Sequence, residues 1–131
     1  MNRLAIDIGT KYTGICLCLM DIPIPYKRVN NRSLDDELRA LIEEHDIGEI
    51  IIGEPLSKDN NETDMSGWIK KYVSTIDSIK DLRKIYINER LTSKKAERII
   101  KDNIGKKDYK EKIDPVSACL IMEHYLDEIK E

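Results

Sequence analysis

LAIDIGTKYTGICLCLM, Leu4 to Met20, decides how this chain folds. Leu4 to Ile8 is an apolar, strand-like run, Gly9 and Gly14 bound a polar turn, and Gly14 to Met20 is a second run whose alternate residues share a face. Two strands joined by a short turn pair antiparallel, and the segment Ile24 to Val29 extends them into a meander. Asp7 interrupts the first strand near its end. A carboxylate there is costly to bury unless a metal, a cation or hydrogen bonds compensate it. The turn beside it offers glycine flexibility and backbone N–H groups to a phosphate or a phosphate-bound cation. Asp7 is therefore the first candidate site residue.

The rest of the chain supplies helices and two more strands. Ser33 is expected to cap a helix with Asp36 and Glu37 in its first turn, and Leu34, Leu38, Leu41 and Ile42 keep helical spacing up to Gly48. Glu49 to Gly53 is apolar without alternation, as befits a central strand buried on both faces. Trp68, Tyr72, Ile76 and Ile79 form the next helical stripe, which favours core packing over base stacking by Trp68 and Tyr72, and Lys84 to Asn88 form a short strand with Ile85 and Ile87 on one face. Thr92 is expected to cap a helix to about Asp102, followed by a basic loop from Gly105 to Lys112. Asp114-Pro115 then opens a last helix whose Val116, Cys119, Leu120, Met122, Tyr125, Leu126 and Ile129 face the core. The right-handed crossover rule places the Ile50 strand beside the Leu4 strand and the Ile85 strand beyond it. The expectation is an α/β fold in three layers, a mixed five-stranded sheet of order 3-2-1-4-5 with helices on both faces.

Composition narrows the classes. At 131 residues and 40% hydrophobic, the chain suits one domain spanning residues 1–131. No apolar run approaches the ~18 residues of a membrane span, and the N-terminus does not read as a secretory signal, so a cytoplasmic protein without membrane contact is expected. Cys16 and Cys18 share a strand face and Cys119 lies in a helical pattern, which suggests reduced core thiols. The net charge of −3 hides two patches. Ser33 to Glu49 sets seven acids against Arg39, and Lys94 to Lys112 sets eight basic residues against four acids. Either run reads first as a solvated face. The basic run gains interest from the acids around it.

Glu89 follows the Ile85 strand and Asp114 starts the last helix, so the topology brings both to the sheet edge that carries Asp7. Carboxylates brought together repel one another unless a cation neutralises them. Hard oxygen ligands suit Mg²⁺ or Mn²⁺, and two such ions about 3.5–4 Å apart support phosphodiester cleavage. Glu54, after the Ile50 strand, is expected at the same edge and reads either as a further metal-site acid or, preferably, as a solvated loop acid. For the nucleic-acid backbone the candidates are Lys11, Arg90, Lys94, Lys95, Lys106, Lys107, Lys110 and Lys112. Such contacts position a substrate without reading its sequence.

Four blocks resemble the YqgF/RuvX family of Holliday junction resolvases within the RNase H-like superfamily: AIDIGTKYTGIC from Ala5, IIIGEPLSKD from Ile50, NERLTSKKAE from Asn88 and KIDPVSACLIMEHYLD from Lys112. The resemblance implies an RNase H-like fold and a Mg²⁺-dependent nuclease in which Asp7, Glu89 and Asp114 hold the metal. It implies a nucleic-acid substrate, branched DNA or precursor 16S ribosomal RNA, for a monomer or homodimer. Two departures stand out. Asn88 replaces the family's usual Asp, and Glu54 and Asp59-Asn60-Asn61 alter the loop around Pro55. Two other readings remain at this point. One is a non-catalytic module bound to RNA or the ribosome. The other is an actin-like ATP-binding domain, for which the chain offers no second phosphate loop.

Overall fold

The computed structural model describes residues 1–89 and 109–130, with the side chains of 109–113 outside that description. Strands β1 (Asn2–Ile8), β2 (Tyr12–Leu19) and β3 (Ile22–Asn30) form the antiparallel meander, and β4 (Ile47–Glu54) and β5 (Arg83–Asn88) join it in parallel. The sheet order is β3-β2-β1-β4-β5, as the crossover rule requires.

Helices cover both faces. On one side α1 (Asn31–His45) and α2 (Asp64–Ser74) pack with Leu4, Ile6, Ile8, Ile50 and Ile52. On the other, α3 (Tyr109–Ile129) packs with Ala5, Cys16, Ile51 and Ile87. Alternate residues of a strand point to opposite faces, so these two clusters assign a face to every strand position. Arg3, Glu49 and Tyr125 tie the layers together: Glu49, 3% exposed, accepts from Arg3 Nε at 2.6 Å and from the Tyr125 hydroxyl at 2.8 Å. Burial alone raises its carboxyl pKa, but the Arg3 guanidinium and the tyrosine outweigh that and hold it low. Glu49 is thus no part of a solvated acidic face.

Several boundaries differ from the sequence expectation for local reasons. Asn30, not Ser33, caps α1, its side chain accepting from the Arg32 N–H, so Asp36 and Glu37 lie beyond the first turn. That helix stops at Asp46 in the left-handed conformation, φ 51°, and Gly48 is already in β4. Helix α2 ends at Ser74 with Ser66, Ile69 and Val73 as its buried face; Trp68 is exposed, while Ile76 and Ile79 are buried as expected but belong to the segment that follows, in which Asp77–Ile79 form a short 3-10 turn. Helix α3 already runs through 109–113, so the last part of the expected basic loop is helical and Asp114-Pro115 lies within the helix rather than capping it. Ala118 and Ile121 join its core, whereas Ile129 is 48% exposed. The thiols are buried as expected, and Cys119, remote in sequence, hydrogen-bonds Cys16 at 2.8 Å between sulfurs. The helix expected from Thr92 lies outside the described residues. Among the described residues no helix is long and apolar enough to cross a membrane.

Candidate active site

Strand parity builds the site. Asp7 lies two residues beyond Ala5 on β1, so its side chain shares the α3 face of the sheet. Glu89 lies two beyond Ile87 and takes the same face just past the end of β5. Its backbone N–H donates to the Glu54 carbonyl at 3.1 Å, which keeps it in step with the end of β4. Asp114, on α3, comes down on that face from above.

Two glycines set how closely these groups approach. Gly14 stands opposite Asp7 in the β1–β2 register, and a Cβ there would lie 2.2 Å from both the carbonyl carbon and oxygen of Asp114. A Cβ on Gly53 would lie 2.6 Å from Glu89 Oε2 and 2.5 Å from Ile121 Cδ1. No real Cβ tolerates such distances, so the missing side chains are what lets helix and carboxylate settle against the sheet.

The electrostatics are those of crowded acids. The Asp7 and Glu89 side chains hydrogen-bond each other, which two carboxyl groups can do only while they hold a proton. Burial, then the charge of Asp7 and the bond to it, then the charge of Asp114, push Glu89 up to about 9. Burial also raises Asp7, the bond from Glu89 opposing this in part. Glu89 thus meets both Asp7 and Asp114, and hard carboxylate oxygens are the donors that Mg²⁺ or Mn²⁺ suits. Among the described residues no three His, Cys, Asp or Glu side chains are grouped closely enough to hold an ion as they stand.

Glu54 stands apart from them. It shares the α1–α2 face with Ile52, is 8% exposed, and its Oε2 lies 3.0 Å from Lys70 Nζ. The expectation of a solvated loop acid is overturned: it is the buried last residue of β4, in an ion pair on the side away from Asp7. Asn88 also faces that side and donates to Asn60 Oδ1 at 2.9 Å. The two departures in the sequence therefore touch one another.

The turn after Asp7 is built more tightly than its composition suggests. The Gly9 N–H donates to the Tyr12 carbonyl at 2.8 Å and is not open to a phosphate. Asn31 clamps the turn, donating from its side chain to the Gly9 carbonyl at 2.8 Å and accepting from Thr13 Oγ1 at 2.7 Å. Lys11 is exposed, its ammonium 5.4 Å from the Tyr12 ring centroid. Arg90, Lys94, Lys95, Lys106 and Lys107 lie outside the described residues, as do the side chains of Lys110 and Lys112.

Arg28 is a residue the sequence reading missed. It pairs with Gly14 as Gly14 pairs with Asp7, so the three share one face on adjacent strands. Its guanidinium stacks on Tyr12, 4.0 Å from the ring centroid. The signal was available in the meander, where a cation falls in register with Asp7, but only once the β2–β3 pairing was known.

Known proteins resemble this chain in sequence and in fold. A relative from a Sulfurihydrogenibium species is 31% identical over 136 residues, covering 98% of this chain and 92% of its own length. One from Campylobacter jejuni subsp. doylei is 33% identical over 129 residues, covering 95% and 96%. Both bear the name "Putative pre-16S rRNA nuclease". The structure of T. thermophilus RuvC in complex with Holliday junction substrate matches with a TM-score of 0.62 at 11% identity, covering 98% of this chain and 96% of that one, which is a likeness of fold. Residues 1–128 match the family model described as RuvX: Holliday junction resolvase, and the chain belongs to that family.

Proposed function

We propose that this protein is a nuclease that hydrolyses phosphodiester bonds in structured nucleic acid with a divalent cation held by Asp7, Glu89 and Asp114. The observation that carries the reading is the Asp7–Glu89 pair, two half-buried carboxyl groups in hydrogen-bond contact, with Asp114 in electrostatic reach of Glu89. A protein gains nothing in stability from crowding acids this way, and such perturbed groups concentrate at functional sites. Mg²⁺ or Mn²⁺ bound there supplies charge neutralisation for the phosphodiester and favours hydrolytic attack. The chain's own part is to present hard oxygens, release the proton shared by Asp7 and Glu89 as a cation is taken up, and fix the acids through Gly14 and Gly53. Arg28 and Lys11 flank Tyr12 beside the acids and meet phosphates of the substrate strand.

Asn88 does not weaken this reading. An acid at 88 would point to the α2 side of the sheet, as Tyr86 does, whereas Glu89 points to the cluster. The substrate is branched DNA, such as the one bound by the RuvC neighbour, or precursor ribosomal RNA, as the relatives' names state. Cleavage assays on both substrates, with Mg²⁺ or Mn²⁺, separate them. Asp7→Asn is expected to abolish cleavage of either one while circular dichroism and melting temperature stay those of a folded protein. An Asp7→Asn variant that still cuts refutes the assignment.

A further inference from the structure

Trp68 is the single tryptophan of the chain, and it is 38% exposed. Ile69 and Val73 occupy the buried face of α2, and the indole stands outside, stacked on Tyr72 with centroids 5.2 Å apart and planes 16° from parallel. Tyr72 is itself held, its hydroxyl donating to the Asn31 carbonyl at 3.1 Å. Asn31 is the residue that clamps the Gly9–Lys11 turn, through its side chain to Gly9 and its backbone N–H to Lys11. The stacked pair is thus connected through one residue to the turn that follows Asp7. The start of α2 is fixed to the same edge of the sheet, since Thr63 Oγ1 donates to the Pro55 carbonyl at 2.6 Å just beyond β4.

Gly67 is an independent observation. It lies inside α2, where glycine is unfavourable relative to alanine, and a Cβ built on it meets nothing within 4 Å. Among the described residues no neighbour requires the space. Its absence of a side chain leaves the helix surface flat beside the exposed indole. Lys71, exposed, lies one turn further along the same side of the helix.

We propose that Trp68, with Gly67 and Lys71, is a stacking platform for an unpaired nucleobase of the substrate strand whose backbone crosses the Asp7 turn. The free indole face receives the base and Lys71 meets a neighbouring phosphate. This rests on the nuclease reading above and adds to it a preference for substrate with unpaired bases near the cut, at a loop, a junction or a strand end. Stacking tolerates any base, because every base has a π-face, but a base already stacked in a duplex is not available to it.

The single indole makes the test direct. Full-length Asp7→Asn protein in chelator, which binds without cutting, is titrated with a branched DNA and an RNA hairpin carrying unpaired bases. Inorganic polyphosphate and a closed, fully paired duplex are the controls. Saturable quenching of tryptophan fluorescence by the unpaired substrates alone is expected. Added to that background, Trp68→Ala is expected to weaken binding about 5- to 150-fold, the range of one base–aromatic stack, and Trp68→Tyr to keep most of it. Gly67→Ala is expected to raise the melting temperature while weakening binding, a combination that a purely structural glycine does not give. Unchanged affinity in Trp68→Ala, or equal quenching by polyphosphate, overturns the platform. If wild-type protein cuts and Trp68→Ala binds and cuts equally well, the platform falls and the nuclease stands. If no metal supports cutting and the quenching persists, the nuclease falls and the platform stands. Failure of every nucleic acid to bind overturns both.

Discussion

Gly14 and Asp114 are in backbone contact: a Cβ on the glycine would lie 2.2 Å from the aspartate's carbonyl carbon and oxygen. The contact seats α3 on β2 directly beside Asp7 and so sets the height of Asp114 above the sheet. Gly14→Ala pushes against main chain, which no rotamer change relieves. The expected result is a loss of about 1–3 kcal/mol in stability together with loss of cleavage, read by thermal melting and by assay below the variant's transition. Stability lost with cleavage kept would show that Asp114 need not sit where this contact holds it.

The Asp7–Glu89 pair predicts how stability depends on pH. Glu89 ionises near its ordinary 4.5 when unfolded and at about 9 in the ion-free fold, so the two states bind protons alike below about 4.5. Above that the unfolded chain loses protons that the folded one keeps, and stability falls as pH rises, until the folded group titrates near 9. Removing the acid in Glu89→Gln should flatten this decline. Mg²⁺ should raise the melting temperature more at pH 8 than at pH 5, because its binding displaces the shared proton. A melting temperature equally insensitive to metal at both values would contradict the proposed ligand set.

Asn88→Asp restores the residue that the family resemblance leads one to expect, yet little should follow. The side chain faces α2 and Asn60 rather than the acids, so the cleavage rate is expected to stay within about twofold. Loss of one exposed hydrogen bond costs no more than about 1 kcal/mol. A large gain in activity would mean that position 88 reaches the metal after all.

Arg28→Ala tests the basic side of the site. Its guanidinium is oriented by Tyr12 beside the acids, and a lost phosphate contact should weaken binding of all sequences alike. The slope of log affinity against log salt should become shallower by about one. A change in sequence preference at unaltered salt slope would instead make Arg28 a base-reading residue.

The order of elements, and the three acids that the fold brings to one face of the sheet, were legible in the chain. The apolar run with Asp7, the unbroken Ile50-Ile51-Ile52 and the alternating Ile85 and Ile87 specify strands by their periodicity, and the crossover rule leaves one sensible order for them. Less legible were the ends of helices. Asn30 and Ser33 are both good caps, and which one closes α1 depends on where β3 releases the chain.

What periodicity could not settle was which face, and which neighbour, each side chain meets across the sheet. Trp68 keeps helical spacing with Tyr72 and Ile76, but α2 stops at Ser74 and its buried face passes through Ile69 and Val73, leaving the indole outside. Glu54 and Glu89 read alike as acids at strand ends, yet opposite parity sends one to Lys70 and the other to Asp7. Cys119 against Cys16 and Arg28 in line with Asp7 arise from pairings between distant segments. Local pattern is written in sequence because it depends on neighbours three or four residues away. The grouping of acids, cations and aromatic surface depends on strand register and helix seating, which exist only once the layers have packed.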